Sequence, residues 1–260
     1  MTSMQGGNTK PANTYTMERS LTDTGVDFAR RLRLSTMFEY FQDIAGFHAA
    51  NLGASVERLY KELNVAWIVL KVRVEIDKYP TLPADVLVDT WPQTPRALYE
   101  RDYTIRSREG DILVRAASTW VIMNLGTREI KRDKFLDYAN LEMRKDRAIE
   151  KGVGRQRRVE GAEPVCEKHI KFSDIDYNGH VNNARYVDYI MDAIPFREHR
   201  EKEIRALEVY YVAEMSPDNE LVIARKTMEP DAQSGRERLY IEGVRKSDDA
   251  VVFYAVVERE

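Results

Sequence analysis

The 260-residue sequence contains a single cysteine, Cys166. One cysteine cannot form a disulfide within the chain, so a reducing compartment, the cytoplasm, is the expected location. No apolar run approaches the roughly 20 residues that span a bilayer, and we expect no membrane span. The four histidines are scattered, and no group of Cys, His and carboxylate residues has metal-ligand spacing. We therefore expect neither a metal nor another cofactor.

The chain also lacks an excess of positive charge, with a formal net charge of -3 at pH 7. This value argues against a protein that binds nucleic acid through its overall field. Local basic patches remain, and one or more of them could steer an acidic partner by charge. For residues 155–158, a solvated linker or loop face is the alternative interpretation. The basic residues cluster as Arg30, Arg31 and Arg33, as Lys131 and Arg132, and as Arg155, Arg157 and Arg158.

The first residues, MTSMQGGNTKPANT, are polar. They have neither the apolar core of a secretory signal nor the Arg-rich amphipathic character of a transit peptide. We expect residues 1–14 to form a disordered tail.

Hydrophobic periodicity predicts one long helix and several strands in residues 15–130. Apolar residues recur at three- and four-residue intervals over residues 34–53, which predicts a helix with Ser35 as its cap and Gly53 as its end. Alternation of apolar and polar residues predicts strands, the last two joined by a turn at Glu109-Gly110-Asp111. The predicted strands cover residues 15–20, 70–76, 86–91, 99–106 and 112–124.

Residues 131–164 interrupt this pattern with a charged segment that is poor in β-branched residues, and they predict a linker with room for one short helix. The first order of elements then returns over residues 165–260 as a strand, a helix from Asn182 to Ile194, and further strands. This is an internal repeat of topology. A long helix across an antiparallel sheet, present twice, predicts an α+β fold in which paired edge strands join both units into one continuous sheet.

The densest polar cluster is the segment FSDIDYNGHVNNARYVDYI, residues 172–190, which precedes and begins the second helix. The free amides and positive dipole end of a helix start can stabilise an oxyanion, so a thioester carbonyl placed there becomes more electrophilic. The alternative is that these are ordinary turn and cap residues, with Asn182 or Asn183 doing no more than capping the helix.

The run DIDYNGHVNNARYVDYI closely resembles the D-x-N-x-H-V-N-N signature of the fatty acyl-acyl carrier protein (acyl-ACP) thioesterases of plants and bacteria. Residues 64–91 and 112–124 are also similar to that family, so the resemblance covers nearly the whole chain. It implies two tandem hotdog units: an N-terminal, non-catalytic one at residues 15–130 and a C-terminal, catalytic one at 165–260. The implied activity is hydrolysis of acyl-ACP to free fatty acid and holo-ACP, with acyl carrier protein as the partner.

The resemblance implies a catalytic set of Asp176, Asn178, His180 and Glu214. We expect water to attack the thioester, with Glu214 as the general base. His180 would orient the water or the carboxylate and protonate the leaving thiolate, and Asn178 would hold the carbonyl oxygen. Asp176 would fix the loop and the histidine tautomer. In the alternative assignment, Asp176 is the nucleophile or base and Glu214 supports it.

Two residues bear on a thiol mechanism. The residue after the implied glutamate is Met215, where plant members often have cysteine, and this excludes a thiol nucleophile at that position. Cys166 lies at the start of a predicted strand, and we expect it to be a small core or surface residue that is dispensable.

The first half has Asp23 and Asp27 at the equivalent place but no Asn-Gly-His triplet, so we expect no active site there. We expect this half to form the wall of an acyl tunnel, although apolar helix positions are more often core, and His48 has the alternative of a satisfied buried histidine. The candidate substrate-binding residues are Met37, Phe41, Ile44, His48 and Trp67 of the first half and Asn182 and Asn183 of the second.

Three other functions compete with acyl-ACP hydrolysis. A shorter form of the signature occurs in single-hotdog acyl-CoA thioesterases, although the two-half length favours the ACP family. A hotdog dehydratase would require a His and a helix-borne acid, which the Asn-Gly-His-Val-Asn-Asn run does not resemble. A non-catalytic acyl-carrier binding protein is the third alternative. Monomer and homodimer both stay open, because the fused pair already forms the unit that single hotdogs form by dimerising.

Overall fold

The computed structural model describes residues 13–94, 98–131, 142–150 and 152–260. Residues 1–12 of the predicted tail and residues 132–141 and 151 of the predicted linker lie outside the described residues. The two remaining tail residues contact the linker. The Asn13 amide donates to the Glu142 carbonyl at 2.7 Å, and Arg144 donates to the Thr14 hydroxyl at 3.3 Å.

The first half begins with strand β1 (Tyr15–Ser20), a 3₁₀ turn (Asp23–Gly25) and the long helix α1 (Leu34–Asn51). A short helix, α2, follows at Val56–Leu63, and the Ser55 hydroxyl caps it by accepting from the Arg58 amide at 3.2 Å. The remaining strands are β2 (Val65–Ile76), β3 (Asp85–Pro92), β4 (Tyr99–Ser107), β5 (Ile112–Asn124) and the two-residue β6 (Ile130–Lys131).

The second half repeats this order of elements and confirms the predicted internal repeat. It starts with β7 (Glu163–His169), a 3₁₀ turn (Phe172–Asp174), α3 (Asn183–Asp192) and the short helix α4 (Phe196–Glu201). Four strands follow: β8 (Ile204–Tyr211), β9 (Glu220–Met228), β10 (Glu237–Arg245) and β11 (Val251–Arg259).

All the strands described belong to one antiparallel sheet with the order β1-β3-β4-β5-β2-β8-β11-β10-β9-β7, and β6 pairs with β5. The two halves meet at the centre, where β2 pairs with β8 from Lys71 opposite Tyr210 to Glu75 opposite Ala206. The predicted α+β fold, with one continuous sheet made from the edge strands of two units, is confirmed.

Both long helices pack on the same face of the sheet, which the alternation of strand residues makes apolar. In β2, Val72, Val74 and Ile76 are buried in the main core. A bulge between Val69 and Lys71 shifts the register of this strand, and it leaves Leu70 partly exposed, outside the alternation that the sequence suggests.

The opposite face of the sheet is polar at the junction of the halves. The Arg73 guanidinium of β2 binds two carboxylates of the second half, Glu208 at 3.0 Å and Glu258 at 3.2 Å. The described part of the linker crosses this face, where Lys71 donates to the Gly154 carbonyl at 2.8 Å. Ion pairs and linker contacts therefore hold the two halves together from the side opposite the helices.

The predicted boundaries of α1 were wrong in detail. Leu34 is already helical, so the extended Arg33 is the N-cap residue and Ser35 lies inside the first turn, buried. The helix ends at Asn51, and Gly53 follows with a positive φ of 78°, a conformation that glycine adopts at low cost. No helix in the described residues is both long and apolar enough to cross a membrane.

Candidate active site

The loop before α3 is closed by backbone hydrogen bonds. Ile175 and Val181 form an isolated antiparallel bridge, and inside it the Asp176 amide donates to the His180 carbonyl at 2.9 Å. The Gly179 amide donates to the Asp176 carbonyl at 3.0 Å, and the turn requires a φ of 80° at Gly179. Glycine adopts this left-handed conformation at low cost, which suits it to the position two residues before Val181.

The Asp176 carboxylate stabilises the same loop. Its Oδ1 accepts from the Asn178 backbone amide at 2.8 Å, and its Oδ2 lies 3.5 Å from the Asn178 side-chain nitrogen. These contacts account for the loop-fixing part of the role expected of Asp176. Its contact with His180 runs through the two backbones, so the expected control of the histidine tautomer stays a prediction.

Glu214 reaches this loop from the segment after β8. The Val181 amide donates to the Met215 carbonyl at 3.0 Å, which ties the loop to that segment. His180 Nε2 then lies 3.8 Å from Glu214 Oε2, and the two side chains are 40% and 39% exposed. The distance exceeds a hydrogen bond, so the imidazole and the carboxylate face each other across a gap that water can reach.

Two arginines that sequence reasoning missed hold Glu214. The Arg245 guanidinium donates to the Glu214 main-chain carbonyl at 2.9 Å, and Arg128 Nη2 lies 3.0 Å from Glu214 Oε2. Arg128 is 86 residues away and belongs to the first half. No local pattern could have linked it to the site.

The start of α3 combines a cap with exposed helix amides. Asn182 is the N-cap residue, and its Oδ1 accepts from the Ala184 amide at 2.8 Å. Capping therefore accounts for the Asn182 side chain. Asn183 begins the helix, and the Tyr211 hydroxyl donates to its carbonyl at 3.1 Å. Because Asn182 takes the Ala184 amide at 2.8 Å and the Arg185 amide at 2.9 Å, the Asn183 amide is the first-turn donor left for an oxyanion.

A narrow apolar cleft of about 20 Å³, partly open to solvent, lies between α1 and the sheet of the first half. It reaches the second half at Asn183 and Tyr211. Asn183 is three residues along the chain from His180, and Tyr211 is three residues from Glu214. The cleft is also lined by Phe41, Val72, Tyr103, Ser118 and Trp120.

Three polar side chains on the cleft wall, those of Tyr103, Ser118 and Trp120, are bonded to one another. The Ser118 hydroxyl contacts the Tyr103 hydroxyl at 3.0 Å and accepts from Trp120 Nε1 at 2.6 Å. Satisfied polar groups demand no partner from a ligand. The wall is therefore compatible with an aliphatic chain.

The structure separates the candidate first-half substrate residues. Phe41 lines the cleft, whereas Met37 and Ile44 are fully buried in the core. Trp67 packs edge-on against Tyr99 at the far end of α1, with ring centroids 4.9 Å apart. Cleft lining by Met37, Ile44 and Trp67 remains an untested expectation.

His48 is a buried histidine with partners. Its Nδ1 lies 3.0 Å from Arg101 Nη1, and its ring stacks on Tyr15 at 5.9 Å. Because a guanidinium only donates, Nδ1 must accept and the proton is on Nε2. These contacts match the alternative interpretation of a satisfied core histidine.

The first half contains a copy of the loop formed by residues 175–181, with different side chains. The Asp27 amide donates to the Arg31 carbonyl at 2.8 Å, the Arg30 amide to the Asp27 carbonyl at 2.9 Å, and Asp27 Oδ1 accepts from the Ala29 amide at 2.8 Å. These bonds repeat those made by Asp176. Ala29 and Arg31 therefore stand in the positions of Asn178 and His180, the candidate catalytic residues.

Arginine changes the chemistry of this copy. Arg31 binds the Asp27 carboxylate at 2.9 Å and Glu203 of the second half at 3.2 Å, and its guanidinium lies over the Tyr79 ring at 4.9 Å. The Leu32 amide donates to the Pro80 carbonyl as Val181 does to Met215, so Tyr79 takes the place of Glu214. The copy thus has an arginine-bound carboxylate, an arginine at the position of His180 and a tyrosine at the position of Glu214. These differences support the expectation of an inactive first half.

Two further titratable groups of the second half are unsuited to base or nucleophile roles. Burial raises the pKa of Tyr186, whose hydroxyl bonds to the backbone of Met215, so this hydroxyl stays protonated. Burial also raises the pKa of the half-buried Cys166 thiol on β7, which disfavours the reactive thiolate. In the described residues, no three His, Cys, Asp or Glu side chains are grouped to hold a metal ion.

The basic clusters are partly used inside the fold. Arg31 is paired as described, and Arg158 binds Glu242 at 2.8 Å on the polar face of the sheet. Arg132 lies outside the described residues. The exposed members are Arg30, Arg33, Arg155, Arg157 and the paired Arg158.

Two long helices on one continuous antiparallel sheet define the class of tandem hotdog proteins. A crystal structure of an acyl-ACP thioesterase from Bacteroides thetaiotaomicron matches with a TM-score of 0.84 and 27% identity, covering 95% of this chain and 98% of that one. The 12:0-ACP thioesterase from Umbellularia californica matches with a TM-score of 0.82 over 95% of this chain and 94% of that one, and at 19% identity it supports the fold alone.

Family models place this chain more narrowly. The acyl-ACP thioesterase N-terminal domain matches residues 12–134, and the acyl-ACP thioesterase C-terminal domain matches residues 160–251. The chain belongs to the acyl-ACP thioesterase family. A chloroplastic palmitoyl-acyl carrier protein thioesterase of Gossypium hirsutum is 32% identical over 185 residues, which are 68% of this chain and 44% of that protein. The chain spans about half the length of the curated relatives it matches.

Proposed function

We propose that this protein hydrolyses the thioester of acyl-ACP and releases free fatty acid and holo-ACP at the polar cluster of its second half. The observation that carries the proposal is that His180 and Glu214 face each other near the start of α3, whose first residues, Asn183 and Ala184, line the apolar cleft. Membership of the family supports an acyl carrier protein as the substrate carrier.

In the first step, a water molecule that hydrogen-bonds to both His180 and Glu214 from one side of the pair attacks the carbonyl carbon. The Glu214 carboxylate accepts a proton from this water as the carbon–oxygen bond forms. The thioester carbonyl becomes an oxyanion, which the Asn183 amide and the Asn178 side chain are placed to stabilise. This step produces one tetrahedral intermediate and one protonated glutamate.

In the second step, the intermediate collapses and the carbon–sulfur bond breaks. The leaving thiolate takes a proton from His180, and the proton held by Glu214 returns to the imidazole through a bridging water molecule, because 3.8 Å is too long for direct transfer. The net reaction adds one water to the thioester and yields a carboxylic acid and a thiol. Asp176 keeps the loop in place through Asn178.

The acyl chain enters the apolar cleft of the first half, which must widen to admit it. Replacing Val72 by phenylalanine would fill part of this cleft and remove space for the end of the chain. We expect kcat/KM to fall for long acyl chains by about fourfold per excluded methylene, from about 0.8 kcal/mol of burial each, while short chains react as before. Thiol release from a chain-length series of acyl-ACPs measures this effect. An equal loss at every chain length would contradict the assignment of the cleft.

The carrier is tested by comparing the same acyl chain on two carriers. We expect wild-type protein and Cys166→Ala to release thiol from acyl-ACP at the same rate, and kcat/KM to be higher for acyl-ACP than for acyl-CoA. The cysteine variant is unaffected because no step uses its thiol. Higher kcat/KM on acyl-CoA would make the protein an acyl-CoA thioesterase. Binding of ACP without turnover on either carrier would make it a non-catalytic binding protein.

The proposal extends to partner and location. Acyl carrier protein is strongly acidic, and the exposed arginines Arg30, Arg33, Arg155 and Arg157 are candidates for steering it by charge. The scheme works in a monomer and in a homodimer, because both halves of the site lie in one chain. A cytoplasmic location rests on the single cysteine; the plant relatives are named as chloroplastic.

A further inference from the structure

One contact of the site comes from the half that carries no catalytic loop of its own. Arg128 lies in the turn between β5 and β6 of the first half, and its Nη2 is 3.0 Å from Oε2 of Glu214. The same Glu214 oxygen is the atom that lies 3.8 Å from His180 Nε2. The guanidinium therefore contacts the oxygen that faces the imidazole.

The turn around Arg128 is held from several sides. The Asn124 side chain accepts from the Gly126 amide at 3.0 Å and the Thr127 amide at 2.9 Å, and the Asn124 carbonyl accepts from the Arg128 amide at 2.9 Å. The Leu125 amide donates to the Asn64 carbonyl at 3.0 Å, which ties the turn to the start of β2. The guanidinium thus extends from a backbone with fixed geometry.

The backbone of Arg128 is in a conformation that arginine does not favour. Its φ is 59°, in the left-handed region that glycine and asparagine occupy at lower cost. The ion pair does little to offset this cost, because the Arg128 and Glu214 side chains are 55% and 39% exposed and such pairs contribute little to stability. Neither backbone preference nor stability accounts for arginine here.

The main chain of Glu214 is held separately. Arg245 of the second half donates to the Glu214 carbonyl at 2.9 Å, so the second half fixes the backbone while the first half holds the carboxylate. The inactive copy of the loop shows a related cross-half contact, since Arg31 there binds Glu203 of the second half. Each of the two loop regions therefore includes one contact between the halves.

We propose that Arg128 is a positioning residue that holds the Glu214 carboxylate toward His180, so that the first half completes the site of the second. This inference rests on the proposed hydrolase function. Arg128 does not bond to substrate in this scheme and acts only through Glu214. It follows that the chemical step, rather than carrier binding, depends on the guanidinium.

The test compares Arg128→Gln with a matched control, Arg58→Gln, whose guanidinium is 56% exposed and paired to Glu62 on α2. Two substrates are used: acyl-ACP, and the same acyl chain on N-acetylcysteamine, which has no carrier protein. We expect Arg128→Gln to lower kcat about 10- to 100-fold on both substrates, as for the loss of a charged hydrogen bond, with KM unchanged. The control variant retains wild-type kcat.

Three further variants separate positioning from a structural role. Arg128→Asn suits the left-handed backbone, so we expect its melting temperature to be at least that of the wild type while kcat falls as in Arg128→Gln. Arg128→Lys should recover part of kcat. In a Glu214→Gln background, Arg128→Gln should cause no further loss, because residues that act through one another are not additive.

Each contrary result has a separate meaning. A rise in KM on acyl-ACP alone, with normal turnover of the small thioester, would make Arg128 a carrier-binding residue and overturn the positioning role. Unchanged kcat in Arg128→Gln, or losses that add to those of Glu214→Gln, would overturn it as well. A wild-type protein inactive on both thioesters would instead remove the proposed function on which the inference rests.

Discussion

Replacing Glu214 by glutamine is expected to lower kcat/KM for acyl-ACP hydrolysis by about 10²- to 10⁴-fold, the range that general acid–base catalysis contributes. Glutamine keeps the size of the side chain but cannot accept a proton from water. His180→Ala is expected to cause a loss in the same range, because the thiolate would leave without its proton donor. Stopped-flow detection of thiol release measures both rates, and circular dichroism checks that the variants are folded.

Asp176→Asn separates the two assignments of the base. Asparagine retains the oxygen that accepts from the Asn178 amide at 2.8 Å, so the loop should keep its shape. If Glu214 is the base, this variant loses less activity than Glu214→Gln. A near-complete loss in Asp176→Asn with a mild loss in Glu214→Gln would transfer the base or nucleophile role to Asp176.

Replacing Gly243 by alanine is expected to lower the free energy of unfolding by about 1–3 kcal/mol, the usual cost of overpacking a core. A Cβ on Gly243 would lie 2.3 Å from Cε1 of Phe253 and 2.9 Å from two more carbons of the same ring. Phe253 is fully buried and packs on Tyr186, with ring centroids 5.4 Å apart. The ring therefore has little freedom to move aside.

Urea unfolding monitored by tryptophan fluorescence measures this loss. Gly46→Ala is the matched control, because Gly46 is exposed in α1 and an added Cβ meets nothing within 4 Å. It should raise stability by about 0.5–1 kcal/mol, since alanine suits a helix better than glycine. Phe253→Leu should recover part of the loss in Gly243→Ala. Unchanged stability in Gly243→Ala would show that the core at this point is looser than the contacts indicate.

Elements with strong periodicity could be read from the sequence, whereas short elements could not. The predicted bounds of β1 and β5 agree with the structure, because each strand has an alternating pattern closed by turn residues. Helix α2 was missed although Val56, Leu59, Tyr60 and Leu63 follow a helical period, because its eight residues are shorter than the window in which such a period stands out. Helix α4 was missed because none of its six residues is buried, so it has no apolar face to detect.

In the candidate site, the local features could be predicted from the sequence, whereas the features that depend on contacts between distant segments could not. The segment around His180 is local and dense in polar residues, so sequence could locate it, and the family resemblance supplied Glu214. Arg128 and the cleft were beyond reach, because they depend on β2 pairing with β8 across the two halves. Phe41 and His48 lie on the same helix, yet only the packed structure separates a cleft residue from a core residue.

The most direct test of the account is a crystal structure with a non-hydrolysable amide analogue of acyl-phosphopantetheine. We predict that the amide carbonyl lies at the start of α3, within hydrogen-bond distance of Asn178 or the Asn183 amide. The acyl chain should run through the first-half cleft past Phe41 and Tyr103. A chain bound beneath α3 in the second half, or a carbonyl remote from His180 and Glu214, would contradict the account.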